Sequence, residues 1–148
     1  MVADRRYVAL NDAERKRLED LVARCSDADL GRVMPAGWTI AAMLAHLAFW
    51  DERVRLLFER WQHEGSAPPP EEEVNVDWIN DAAKPMFLAL PPRRAAELAV
   101  KIARETDRAV EQLSDDLLAR NAAAPQPLNV VRATHRREHL DEIEAVLR

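Results

Sequence analysis

Hydrophobic positions recur along the chain at spacings of three and four residues, which is typical of amphipathic helices. The longest such stretch follows Thr39, whose hydroxyl can cap a helix that runs to about His63. Its apolar positions fall on one side of a 3.6-residue repeat: Ile40, Met43, Leu44, Leu47, Trp50, Val54, Leu57, Phe58 and Trp61. We therefore expect this side of the helix to be buried.

Prolines and capping residues divide the rest of the chain into further helices. We predict a first helix from a cap at Asn11 or Asp12 to about Arg24, a short helix from Val76 to Leu90 with a kink at Pro85, a helix from Pro91 and Pro92 to Leu113, a short turn from Asp115 to Arg120 and a last helix from about Asn129 to Leu147. No strand-like alternation is present. The economical architecture is an all-α, up-down four-helix bundle with an additional short helix.

Composition agrees with one helical domain over residues 1–148, since 48% of the residues are apolar, 32% are charged and only three are glycine. No stretch approaches the roughly 20 apolar residues of a membrane span, and Asp4, Arg5 and Arg6 interrupt any apolar signal core. We therefore expect a cytoplasmic protein with no membrane partner. The net charge of -5 gives no attraction to nucleic acid, so we expect no such partner either.

The single cysteine, Cys25, excludes an intrachain disulfide and a thiolate metal cluster. Free cysteine usually behaves as a small buried hydrophobe, and the position of Cys25 near a helix end favours that interpretation over a reactive thiol.

Three of the four histidines are placed where they can converge. His135 and His139 are four residues apart on the predicted last helix, so both imidazoles can reach one ion. His46 lies on the flank of the buried stripe of the long helix, and packing of the two helices through their stripes brings the three rings together. His63 is seventeen residues beyond His46, about 25 Å along a helix axis, and is excluded from the site. We predict one divalent metal ion on His46, His135 and His139.

Two arginines of the last helix are candidate substrate ligands. Arg132 and Arg136 lie near its inward side, where a guanidinium can hold the carboxylate of a substrate or thiol. The alternative is that both side chains extend their charged ends into solvent.

Other candidates come from the aromatic and polar residues of the second helix and the short helix. Trp50 and Trp78 can wall a pocket, although Trp50 also fits ordinary core packing. Asn80 or Asp81 can supply a polar contact, or can be solvated. Glu138 falls away from the two histidines of its helix, so we do not assign it as a general base.

Three segments carry a family resemblance. They are Gly-Trp-Thr-Ile at 37–40, Leu-Ala-His-Leu-Ala-Phe-Trp-Asp at 44–51 and His-Arg-Arg-Glu-His-Leu-Asp-Glu-Ile at 135–143. One histidine after a Trp-Thr helix start, followed by a distant His-x-x-x-His, resembles the DinB-like superfamily. This superfamily includes the metal-binding N-terminal domain of mycothiol-dependent maleylpyruvate isomerase and the DfsB-type proteins.

The resemblance implies a four-helix bundle with three histidines on a divalent metal, usually zinc or nickel, and water at the remaining positions. In several relatives the site activates a low-molecular-weight thiol such as mycothiol or bacillithiol. Those metal-binding roles map onto His46, His135 and His139. A three-histidine ion can lower the pKa of a bound water or thiol towards neutrality, which makes such chemistry reasonable.

Three functions remain open at this point. The leading one is a thiol-dependent S-transferase or isomerase that acts on a small-molecule substrate. The second is a metal-dependent hydrolase, in which the ion's water attacks the substrate. The third is a non-enzymatic protein that binds a small reactive molecule and confers resistance to it. We also expect a homodimer, because helical bundles with an exposed apolar side often pair through it.

Overall fold

The computed structural model describes residues 3–69 and 75–148. Its elements are α1 (Tyr7–Arg24), α2 (Asp27–Leu30), a single 3₁₀ turn (Pro35–Gly37), α3 (Ile40–Glu64), α4 (Val76–Ala89), α5 (Pro92–Glu111), α6 (Asp115–Ala123) and α7 (Ala133–Leu147). Within those two ranges there is no strand, only an isolated bridge between Val33 and Thr39. The predicted all-α class is confirmed.

The four long helices form a bundle in which α1 and α3 each pack against both α5 and α7. Of the shorter helices, α2 contacts α3 and α5, and α4 lies along α3. Across the described part of the chain, no helix combines the length and apolar character needed to cross a membrane.

The long helices run up, down, down and up in chain order. α3 and α5 are parallel, because their first halves share one apolar cluster and their second halves share another. The contacts that fix the other directions are Asn11–Ala133 and Arg17–Glu144 for α1 with α7, His46–His139 and Asp51–Arg132 for α3 with α7, and Trp50–Asn80 and Trp38–Phe87 for α3 with α4. Strict alternation is absent because α4 returns the chain along α3 before α5 begins.

The boundaries of α3 agree closely with the sequence prediction. The Thr39 hydroxyl accepts a hydrogen bond from the amide of Ala42 at 3.0 Å, so α3 begins at Ile40. At the other end Gly65 takes a left-handed conformation, with φ of 77°, that terminates the helix.

The predicted cap of the first helix is wrong, and the reason involves α7. α1 already begins at Tyr7, and Asn11 is buried within it. The Asn11 side chain accepts from the amide of Ala133 at 2.9 Å and donates to the carbonyl of Val130 at 2.8 Å. Asn11 therefore caps α7 from a neighbouring helix, and α7 begins at Ala133 rather than at about Asn129.

Two short helices extend the predicted pattern. α2 lies between the first two predicted helices, where no element was predicted, and Ser26 and Asp29 form a reciprocal capping box at its start. α6 reaches Ala123 instead of ending at Arg120, and Ser114 caps it.

A buried polar layer crosses the bundle at mid-height and separates two apolar clusters. One cluster joins the first halves of α3 and α5 to α1 and α7, and the other joins their second halves to α6. The layer between them contains Asn11, Asp51, Asp107, Arg132 and Arg136, each no more than 5% exposed. This layer connects α1, α3, α5 and α7, and it lies directly beside the three histidines.

Candidate metal centre

The three predicted histidines converge where α3 and α7 pack together. Nε2 of His135 lies 3.1 Å from Nε2 of His46 and 3.1 Å from Nε2 of His139. The ring centroids lie 4.7 to 5.0 Å apart, with the rings edge to face. The convergence predicted from the sequence is thus present in the structure.

The donor set fits a divalent metal ion. Nitrogens bound at about 2.1 Å to one ion, with angles of about 90–110° between them, lie about 3.0–3.4 Å apart. The 3.1 Å separations fall within that range. Hydrogen bonding explains them less well, because Nε2 of a neutral imidazole has either one proton or one lone pair. Nε2 of His135 therefore cannot form ordinary hydrogen bonds with both of its neighbours.

Burial keeps two of the rings in the form that binds metal. Desolvation, with a smaller contribution from His139, lowers the pKa of His46 from 6.5 to about 4. Desolvation also lowers the pKa of His135 to about 3, assisted by the neighbouring histidines and by the charges of Arg132 and Arg136. Both imidazoles are therefore neutral at neutral pH, so each has a lone pair for a cation.

The Nδ1 atoms of His139 and His46 have different surroundings. Nδ1 of His139 lies 3.2 Å from a carboxylate oxygen of Glu142, and a proton on Nδ1 leaves the lone pair on Nε2. Nδ1 of His46 is buried and has no hydrogen-bond partner among the described residues. The Trp38 and His46 rings pack edge to face, with their centroids 5.7 Å apart.

The predicted arginines occupy the polar layer. Arg136 is fully buried and makes paired hydrogen bonds of 2.8 to 3.2 Å with Asp51 and Asp107. It therefore neither faces a substrate nor extends into solvent, which corrects both alternatives for this residue. Arg132 donates to Asp51 at 2.8 Å and to the carbonyl of Asn129 at 3.3 Å, and part of it reaches the wall of a cavity.

That cavity, here called the metal cleft, is an open pocket of about 750 Å³ beside the histidines. It lies between α3, α4 and α7. Its wall consists of His46, His135 and His139 together with Trp38, Met43, Trp50, Val76, Asp77, Asn80, Asp81, Asn129, Arg132 and Glu138. An open cleft of this size next to three ring nitrogens leaves room for a small molecule.

The remaining predicted residues separate into those on the cleft wall and those away from it. Trp50 lies on the wall and donates from Nε1 to Oδ1 of Asn80 at 3.0 Å. Asp81 is also on the wall, whereas Trp78 is 74% exposed and lies outside it. His63 is exposed and is not part of the histidine cluster.

Sequence reasoning missed several residues that line the cleft or pair with the buried arginines beside it. Trp38 was used only as a motif residue. Glu138 was not assigned as a general base, yet it lies on the cleft wall. Asp51 was likewise used only as a motif residue, and Asp107 was not considered. Their signal was available, because each is a carboxylate at a position that helical periodicity assigns to a buried stripe.

Fold and site together define the class of this protein: a helical bundle in which two adjacent helices bring three histidines within reach of one metal ion. The chain belongs to the DinB superfamily, whose family model matches residues 10–143. Comparisons with curated proteins and with solved structures found no match.

Proposed function

We propose that this protein is a divalent-metal-dependent enzyme, a thiol-dependent S-transferase or isomerase that uses a thiol of the mycothiol or bacillithiol type. The observation that carries the proposal is the convergence of three Nε2 atoms on the wall of an open cleft. Zinc and nickel are the metals we favour, because imidazole suits both. The resemblance to relatives that activate low-molecular-weight thiols supports the choice of reaction.

The residues of the cleft have separate roles in this proposal. His46, His135 and His139 hold the ion, which when bound lowers the pKa of a coordinated water or thiol and so supplies a nucleophile. Trp50 and Asn80, joined by their hydrogen bond, form a fixed wall for the substrate. Arg132 lies on the wall of the cleft, and its hydrogen bond to Asp51 fixes its orientation.

A metal-dependent hydrolase is the second candidate, and the acidic wall of the cleft favours it. Asp77, Asp81 and Glu138 all line the cleft, and a carboxylate within reach of a water can accept its proton. A non-enzymatic small-molecule binding or resistance protein is the third candidate, because the cleft has the volume of an ordinary ligand pocket.

The test compares turnover of small electrophiles by zinc-loaded or nickel-loaded protein with and without mycothiol, bacillithiol or glutathione. The protein is purified without a histidine tag, and His135→Ala is the control variant. Thiol-dependent turnover that His135→Ala abolishes is the expected result. Turnover without a thiol selects the hydrolase, and stoichiometric binding without turnover selects the binding protein. Thiol-dependent turnover that survives in His135→Ala contradicts all metal-dependent versions.

The other expectations about partners and location remain predictions. We propose a cytoplasmic protein whose partner is a small molecule, with neither nucleic acid nor membrane as a ligand. The homodimer also stays a prediction, and light scattering over a range of protein concentrations measures it.

A further inference from the structure

A second cavity, here called the side cavity, lies next to the metal cleft and has a volume of about 580 Å³. It is formed by the second half of α3 and by the segments around residues 67–69 and 124–129. Three residues, Trp50, Asn129 and Arg132, belong to the walls of both cavities. The histidine site and the side cavity are therefore neighbours across a single row of side chains.

The two cavities differ in chemistry. Asp77, Asp81 and Glu138 line the metal cleft, whereas no carboxylate is present among the described residues that line the side cavity. The charged groups of the side cavity are the guanidinium groups of Arg53 and Arg132.

Most of the side-cavity wall is apolar and conformationally restricted. Leu57 and Trp61 contribute from α3, Leu128 from the segment before α7, and Pro68, Pro125 and Pro127 from the two loops. Proline fixes one backbone dihedral, so these loop walls lose little freedom when a ligand contacts them. Such a wall offers contact area to an alkyl or aryl group and few hydrogen bonds to a polar one.

The residues shared by the two cavities are already held in place. Trp50 donates to Asn80 at 3.0 Å, and the Arg53 guanidinium carbon lies 5.8 Å from the centroid of the Trp50 ring. Arg132 is bonded to Asp51 and to the carbonyl of Asn129. A ligand that contacts this shared row therefore meets side chains that are already ordered on both of its sides, which reduces the ordering that binding requires.

From this arrangement we infer that the side cavity binds the apolar tail, alkyl or aryl, of the molecule whose polar end lies at the three histidines. This inference rests on the proposed metal-dependent function, since it places the reactive end of the ligand at the histidines. It specifies a substrate class: an elongated molecule with a polar head and an uncharged hydrophobic tail. The wall that the two cavities share through Trp50, Asn129 and Arg132 is what assigns the side cavity to the same ligand.

A homologous series of straight-chain hydroxamic acids, from acetohydroxamic to octanohydroxamic acid, tests the inference by binding alone. The hydroxamate head chelates a divalent ion, and the tail is free to occupy a neighbouring apolar site. Isothermal titration of the zinc-loaded full chain should show affinity rising by about fourfold for each methylene that the side cavity buries. Across the series, the expected gain is at least about 30-fold.

Substitutions in the side-cavity wall test whether the gain in affinity with tail length arises there. Leu57→Glu and Pro127→Glu each place a carboxylate on the side-cavity wall, and Pro127 is an exposed loop residue whose replacement leaves the helices intact. Both should reduce the gain to within about threefold while acetohydroxamate affinity stays unchanged. Leu56→Glu is the control, because Leu56 is the exposed neighbour of Leu57 and lies outside the side cavity.

The outcomes separate this inference from the proposed function. If acetohydroxamate does not bind the zinc-loaded protein, or binds His135→Ala equally well, the metal-dependent function fails and the inference with it. If acetohydroxamate binds but affinity does not rise with tail length, the function stands and the side-cavity assignment is overturned. A gain that persists in both Leu57→Glu and Pro127→Glu also overturns the assignment.

Discussion

At the scale of single residues, His135 holds the central position of the cluster. Its Nε2 is 3.1 Å from each of the other two Nε2 atoms, and desolvation lowers its pKa to about 3. The same α7 turn carries Arg136, which is fully buried. The position of His135 therefore depends on how α7 is held against its neighbours. The contact between His139 and Glu142 separately restricts the orientation of the His139 ring.

We predict that Glu142→Gln weakens zinc affinity by about 10-fold, at the lower end of the range for loss of a ligand's supporting carboxylate. The lower end applies because the Glu142 side chain is 47% exposed. Competition with a fluorescent zinc chelator measures the change. Asp141→Asn is the matched control, since it removes the same charge from the adjacent position, where the carboxylate contacts Arg17 instead. Equal loss in both variants would mean that only net charge matters.

Cys25 gives a second prediction at this scale. The thiol is buried, and burial raises its pKa, so little thiolate is present at neutral pH. Alkylation by iodoacetamide should be slower in the folded protein than in urea by at least about two orders of magnitude. Cys25→Ala should bind zinc like the wild type. Rapid labelling of the native protein would show that this thiol is accessible and would reopen a role for it.

At the scale of elements, the polar layer determines how α7 meets α3. Asp51 accepts hydrogen bonds from Arg132, the residue immediately before α7, and from Arg136, one turn further along. Asp107 of α5 holds the other side of Arg136. A buried carboxylate and a buried guanidinium are stable only as partners, so the layer fixes the register of α7 and with it the height of His135 and His139.

We predict that Asp51→Asn destabilises the protein by on the order of 3 kcal/mol, because it leaves the two buried guanidinium groups without a full counter-charge. Zinc affinity should fall as well, since α7 loses its fixed position against α3. Urea unfolding of the metal-free protein measures the first effect, and chelator competition measures the second.

Glu52→Gln is the control for Asp51→Asn. It makes the same chemical change one residue away, where the carboxylate pairs with Arg55 on a partly exposed surface. Such pairs contribute less than about 1 kcal/mol, so stability should change little. A similar loss in both variants would contradict the role assigned to the buried layer.

The start of α7 illustrates where sequence reasoning about elements failed. A polar residue before an apolar run is read as a cap of its own helix, and Asn11 fitted that rule. Its side chain instead bonds to Val130 and Ala133, more than 100 positions away along the chain. Local pattern cannot distinguish the two uses, because the second depends on packing between α1 and α7. α3, whose cap is local, was predicted almost to the residue.

At the scale of the whole molecule, hydrophobic periodicity was enough for the all-α class and for the four long helices. It was also enough for the three histidines, since each lies on the flank of a stripe that must face another helix. The order of helix directions was not predictable in this way, because it depends on α4 lying back along α3. The metal cleft was only partly predictable for the same reason: part of its wall comes from α4.

The two separate apolar clusters are also a property of the whole bundle. Charged residues at buried stripe positions on α3, α5 and α7 interrupt the core at one height, but each helix alone shows only one or two polar residues. Only the assembled bundle shows that these charged residues lie at the same height. The histidine site lies beside this layer, where the helices are held by ionic contacts as well as by packing.

The most direct measurement is the zinc stoichiometry of the tag-free protein, determined by titration and by elemental analysis after dialysis. Wild type and His63→Ala, which alters the exposed histidine outside the cluster, should each retain close to one ion per chain. His135→Ala, with one of the three ring nitrogens removed, should retain close to none. Failure of the wild type to retain zinc or nickel, or equal retention by His135→Ala, would contradict metal binding by the three histidines.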